Sequence, residues 1–128
     1  FREMFLVTGL AKLKEEDAAA VDAMEVLKMA TVNGAYAMGL PDADVLAKGK
    51  LADMILIDLD QPNMRPFNNI AKNIVYSGSK INVKLTMIGG KILYENGVFQ
   101  TSEDPAAIYE RAEEIINDKK QKISKNVL

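Results

Sequence analysis

The chain is 128 residues long, with 16 basic and 18 acidic side chains, a net charge of -2, and neither His nor Cys. That length suits one ordinary domain, and the near-balance of charge leaves no electrostatic footprint for a nucleic acid or an anionic membrane. The composition also removes the usual ligands of zinc and every Ser–His–Asp or Cys–His nucleophile.

The opening stretch, "FREMFLVTGLAKLK", reads as the interior of a helix over Phe1–Leu13. Phe1, Met4, Phe5, Leu6, Leu10 and Leu13 recur at helical spacing on one broad apolar face. No Ser, Thr, Asp or Asn precedes them as a cap, which suggests a chain lacking what came before it. "KEED" is then a charged turn. Asp22-Ala23-Met24-Glu25 has the form of a capping box and starts a second helix. Thr31 is placed to cap a third, short helix; Gly39 stands where that helix should end, and Pro41 prevents its continuation.

The pattern changes at Lys48–Asp60, "KGKLADMILIDLD". Met54–Ile57 is a short apolar run with β-branched members, the signature of a strand covered on both faces. "QPNMRPFNN" follows as loop. Asn68 or Asn69 can cap a short helix over 69–77 that Gly78 ends. Val83, Leu85 and Met87 alternate with Lys84, Thr86 and Ile88 at the strand period, and Gly89-Gly90 supports a type I′ turn into Ile92–Tyr94, a hairpin over 82–95. Asn96-Gly97 turns the chain again into Val98-Phe99. Asp104-Pro105 offers an N-cap and first helical residue, and Ile108, Ala112, Ile115 and Ile116 form the stripe of a last helix. "ISKNVL", from Ile123 on, is expected to fray. The organisation expected is 1–47 helical, 48–101 sheet-forming, and 102–128 a helix with its tail. Three strands are too few to close a sheet, so Met54–Ile57 should take its neighbours from upstream residues or another chain.

Carboxylates are the only candidate chemical groups. Asp58 and Asp60 share one face of the strand, with Asp53 at its other end, and such pairs can hold Mg²⁺ or Ca²⁺ or act as acid and base. The simpler reading, preferred here, is solvated strand ends that guard an exposed edge. Arg65, between two prolines, is either an anion anchor or, by preference, half of a surface ion pair. Met4, Met24, Met29 and Met38 read as flexible core filler rather than a methionine-rich groove. Tyr36, Tyr76, Tyr94 and Tyr109 read as core-edge residues. The Gly34 to Gly39 spacing is that of a phosphate loop, but Leu40-Pro41 follows instead of Lys-Ser/Thr, so the motif fails. No residue is assigned a catalytic, cofactor-binding or metal-binding role. No apolar run approaches the roughly 20 residues that cross a bilayer. No signal segment supports secretion, and the absence of Cys fits a cytoplasmic protein.

Taken together, "LKMATVNGAYAMGL", "KGKLADMILIDLD", "NNIAKNIVYSG" and "MIGGKILYENG" resemble the C-terminal portion of the amidohydrolase superfamily. The resemblance lies with its chlorohydrolase and cytosine-deaminase-like group and, within that, with the 5′-methylthioadenosine/S-adenosylhomocysteine deaminases. It implies a (β/α)₈ barrel with a small β-sandwich built from both ends of the chain, and zinc, or iron, that activates water for release of ammonia. It also implies that the last metal ligand precedes Phe1, so this chain binds no metal and is inactive alone. Phe1–Leu13 then resembles the final barrel helix and Asp22–Gly39 the helical pair after it. Leu51–Asp60 and Val83–Phe99 resemble the C-terminal sandwich strands, and Ala106–Ile116 the closing helix on the barrel exterior. The alternative is a structural module or split subunit that completes a barrel supplied by another chain, or one that self-associates through its strand edge.

Overall fold

The computed structural model describes residues 1–126, with side-chain environments through Ile123. Helix α1 spans Arg2–Glu15 and closes on Glu16 in the left-handed region. Its outer apolar positions Phe5, Leu6, Leu10 and Leu13 are exposed. Met4, by contrast, packs on the core formed by Ala23, Val26, Ala71 and Val75. Lys12 ties α1 across to Tyr76, donating to its hydroxyl at 2.9 Å.

Helix α2 (Ala23–Ala30) begins at Asp22, whose carboxylate accepts from the Met24 amide at 2.8 Å. The expected reciprocal half of the capping box is replaced: Glu25 reaches forward to Lys28 at 2.8 Å, because a residue three positions on lies on the same helix face. Helix α3 (Val32–Ala37) follows directly. Thr31 does not cap it as expected; its hydroxyl donates back to the Leu27 carbonyl at 2.8 Å, the orientation open to a Thr still attached to the preceding helix.

Strand β1 (Met54–Ile57) pairs antiparallel with β2 (Val83–Ile88), β2 with β3 (Lys91–Glu95), and β3 with β4 (Val98–Phe99), giving a four-stranded sheet in the order β1-β2-β3-β4. Two expectations are corrected. The sheet has four strands rather than three, and β1 finds a neighbour within the chain, in β2. Within the described residues β1 is an edge strand, with Ile55 and Leu56 51% and 60% exposed, so the cover expected for it is not supplied by these residues. Gly89 and Gly90 carry the positive φ angles, 55° and 78°, that the tight β2–β3 turn requires.

Between β1 and β2, Pro62–Met64 forms a single 3₁₀ turn within what reads as loop, and it seats Met64 with no exposed surface. Helix α4 starts at Ile70, capped by Asn69 at the Lys72 amide (3.0 Å), and runs on as a π turn over Asn73–Ser77. Helix α5 spans Pro105–Asn126, capped by Asp104 at the Ala106 amide (3.1 Å). It thus continues through Ile123–Asn126, where fraying was expected; Val127 and Leu128 lie outside the described residues. Ile108, Ile115 and Ile116 on its stripe are exposed. No helix among the described residues is long and apolar enough to cross a membrane.

Candidate functional site

Three of the residues selected from sequence, Asp58, Asp60 and Arg65, meet at the end of β1. There an open groove of about 570 Å³ is lined by Leu56, Asp58, Asp60, Arg65, Phe67 and Lys84, among others. Strand β1 ends at Ile57, so Asp58 and Asp60 lie in the turn beyond it and not on a strand face as expected. Asp58 Oδ1 accepts from the Asp60 amide at 2.8 Å. Its Oδ2 accepts from Gln61 Nε2 at 2.7 Å and lies 3.4 Å from Lys84 Nζ on β2. The Gln61 hydrogen bond first, and then that of the Asp60 amide, holds the Asp58 carboxyl below its ordinary 3.8. Asp60 pairs with Arg65 at 2.6 Å in the open. Asp53, at the far end of β1, accepts from the Gly89 amide at 2.6 Å and fastens the hairpin turn. The three carboxylates are therefore committed separately, and each cation of the groove faces a carboxylate. Arg65 is the surface partner that the simpler reading expected.

A second polar cluster adjoins the groove at Asp58 and escaped the reading of the sequence. Asn82 is fully buried. Its Oδ1 accepts from Asn63 Nδ2 at 2.8 Å and from the Ser79 amide at 2.9 Å. Its Nδ2 donates to the Asp58 carbonyl at 3.3 Å and to Asn63 Oδ1 at 3.2 Å. Asn73 fastens the same loop by donating to the Met64 carbonyl at 2.8 Å. The cluster touches a groove residue at the Asp58 carbonyl, and its side-chain donors and acceptors are amides, which are neither acids nor bases at neutral pH. The only hint in the sequence was the density of Asn in the loop.

The remaining candidates scatter. Met4 packs on the core, but Met24, Met29 and Met38 are exposed, so core filling falls to Met4 and to Met64, a residue not singled out. Tyr76 and Tyr94 are half-buried as expected, whereas Tyr36 and Tyr109 are exposed. Gly34–Gly39 is helix and helix end rather than a phosphate loop. A further ion pair, Asp44 with Lys50 at 2.9 Å, closes the segment before β1, and Lys50 also donates to the Pro41 carbonyl at 2.7 Å.

Residues 1–93 match the amidohydrolase family, which covers most of the chain, and the protein belongs to that family. It is 38% identical to a 5′-deoxyadenosine deaminase of Methanothermobacter thermautotrophicus, over 81% of this chain and 24% of that protein. It is 40% identical to a 5-methylthioadenosine/S-adenosylhomocysteine deaminase of Nitratidesulfovibrio vulgaris, over 83% of this chain and 24% of that protein. Among solved structures it resembles a zinc-bound adenosine deaminase of Xanthomonas campestris, with a TM-score of 0.86, 28% identity, and coverage of 91% of this chain and 27% of that one. The chain thus spans about a quarter of the length of the curated relatives it matches.

The residues present do not fit the zinc named for that neighbour. The chain has no His or Cys. Among the described residues no three Asp or Glu side chains gather into a possible metal site. The carboxylates that line the groove, Asp58 and Asp60, are already bound to Gln61, Lys84 and Arg65.

Proposed function

We propose that this chain is the C-terminal scaffold of a cytoplasmic, metal-dependent amidohydrolase that hydrolytically deaminates an adenosine-like nucleoside. Methylthioadenosine and S-adenosylhomocysteine are the first substrates to test. In this reading the metal ligands and proton-transfer groups lie in residues outside the chain. The chain itself supplies the final barrel helix (α1), the helical pair α2–α3, the C-terminal strands of a composite sandwich (β1–β4), and a closing helix (α5). The observation that carries the reading is the identity with deaminases across four-fifths of the chain. The exposed apolar faces of α1, β1 and α5 agree with it, since contiguous apolar surface of this kind marks an interface.

The test is to read the gene upstream of the Phe1 codon, express the whole product, and measure ammonia release from 5′-methylthioadenosine, S-adenosylhomocysteine and 5′-deoxyadenosine. Deamination by the whole product and none by the 128-residue chain is the expected outcome. Turnover by the short chain alone, tight stoichiometric zinc in it, or a whole product inert towards all three compounds would each refute the proposal. A start codon immediately before Phe1 would identify a split subunit instead, with the same exposed faces as its interface to the barrel chain. Concentration-dependent sedimentation of the short chain alone would point to self-association through the β1 edge.

A further inference from the structure

We propose that Asn96 is a site of spontaneous deamidation, opened by the fold, while the chain's other Asn-Gly step, Asn33-Gly34, is protected by it. Asn-Gly occurs at these two positions only. Glycine places no side chain in the path of its own amide nitrogen towards the preceding Asn Cγ. The two steps are therefore equal in intrinsic chemistry and differ only in structure.

The reaction balances without any co-reactant but water. The Gly97 amide loses its proton to hydroxide, and its nitrogen attacks Asn96 Cγ. As that N–C bond forms, the Cγ–Nδ2 bond breaks, and Nδ2 takes a proton from water and departs as ammonia. The resulting succinimide ring adds water at one of its two carbonyls and opens to aspartate or isoaspartate. One water is consumed, one ammonia is released, and the side chain or backbone gains a carboxylate.

Ring closure requires Asn to leave its native backbone geometry, so the rate follows the free energy of local opening. Asn96 and Gly97 are exposed, with φ angles of 48° and 92°, in the turn between β3 and β4. Strand β4 is two residues long and held by two pairs, Tyr94↔Phe99 and Glu95↔Val98, with one further bond from the Gln100 amide to the Leu93 carbonyl at 2.8 Å. Val98 and Phe99 are 63% and 53% exposed, so opening this edge sacrifices little buried apolar surface. The Asn96 amide gives up one bond, to the Lys84 carbonyl at 2.8 Å.

Asn33 stands inside α3, whose C-terminus is closed by Gly39 and Leu40 amides on the Tyr36 and Ala35 carbonyls at 3.0 and 2.9 Å. Gly34 lies so close to α2 that a Cβ there would stand 3.3 Å from the Met29 carbonyl oxygen. Asn33 is exposed and α3 buries no residue, so its protection lies in the helical backbone, which must unwind before the ring can close. Conversion of Asn96 to isoaspartate would add a backbone methylene to a two-residue turn, and the β3–β4 pairing would be lost together with the Tyr94–Phe99 ring contact at 5.2 Å.

The purified protein is incubated at neutral and alkaline pH, and peptide mapping follows replacement of NH by O at each Asn, with isoaspartate scored by enzymatic methyl labelling. Asn96 should convert at least about tenfold faster than Asn33 in the folded protein, and at a similar rate to it in urea. A smaller advantage in the folded protein overturns the proposal, as does a tenfold ratio that persists in urea.

Discussion

Asn82 has no exposed surface, yet both heteroatoms of its side chain are engaged, with Asn63, Ser79 and the Asp58 carbonyl. Its own carbonyl accepts from the Asp58 amide at 2.7 Å, so one residue joins the turn after β1 to the start of β2. Asn82→Leu keeps the branching at Cγ but removes both polar atoms: it strands the Ser79 amide and leaves the Asn63 carboxamide only its bond to the Ser77 carbonyl. The expected cost is about 3 kcal/mol, read as a lowered urea midpoint. Asn63→Leu should cost a similar amount, and the double variant clearly less than the sum, since both remove the same bonds. Additive losses would show that the two amides do not act as a unit.

At the scale of elements, two glycines separate conformation from packing. Gly39 adopts φ 70° at the end of α3, and its amide and that of Leu40 complete the closing pair of bonds to Tyr36 and Ala35. No atom stands within 4 Å of where its Cβ would be, so Gly39→Ala isolates the backbone penalty, a loss of about 1 kcal/mol. Gly9 has the same open space but lies inside α1. There Gly9→Ala should raise stability by roughly 0.8 kcal/mol through helix propensity. Thermal unfolding of the two variants checks both signs, and a shift of the same sign in both would sink the argument.

For the molecule as a whole, the ion pairs set the pH range of stability. Asp44, through the hydrogen bond from Lys50, and Asp58, through that from Gln61, are held below the ordinary 3.8. A carboxylate depressed on folding stabilises the fold above its unfolded value, and that contribution is lost as pH falls through the folded one. Lys28, through Glu25, and Lys50, through Asp44, are held above 10.5; their contribution is present below that value and is lost as pH rises through the folded one. The urea midpoint should thus be flat through neutral pH, decline below 3.8, and decline again above 10.5. Asp58→Asn should make the acid limb shallower, leaving the share of Asp44, and should leave the alkaline limb unchanged. A decline centred near pH 7 would contradict this account, since the chain has no His to titrate there.

Helices α1 and α2, the glycine end of α3, the Gly-Gly hairpin and the capped start of α5 were legible in the sequence, because each depends on residues within a few positions of one another. Periodicity, a side-chain cap or a positive φ acts locally, whatever surrounds it. The absence of imidazole and thiolate chemistry was equally a matter of composition. The tertiary structure alone decided that β1 pairs with β2, that Asp53 reaches the Gly89 amide, and that Asp58 reaches Lys84 on β2. It also decided that Asn63 and Asn82, nineteen positions apart, form one buried amide pair. Those outcomes depend on which segments meet across the chain, and no local pattern encodes a partner that far away.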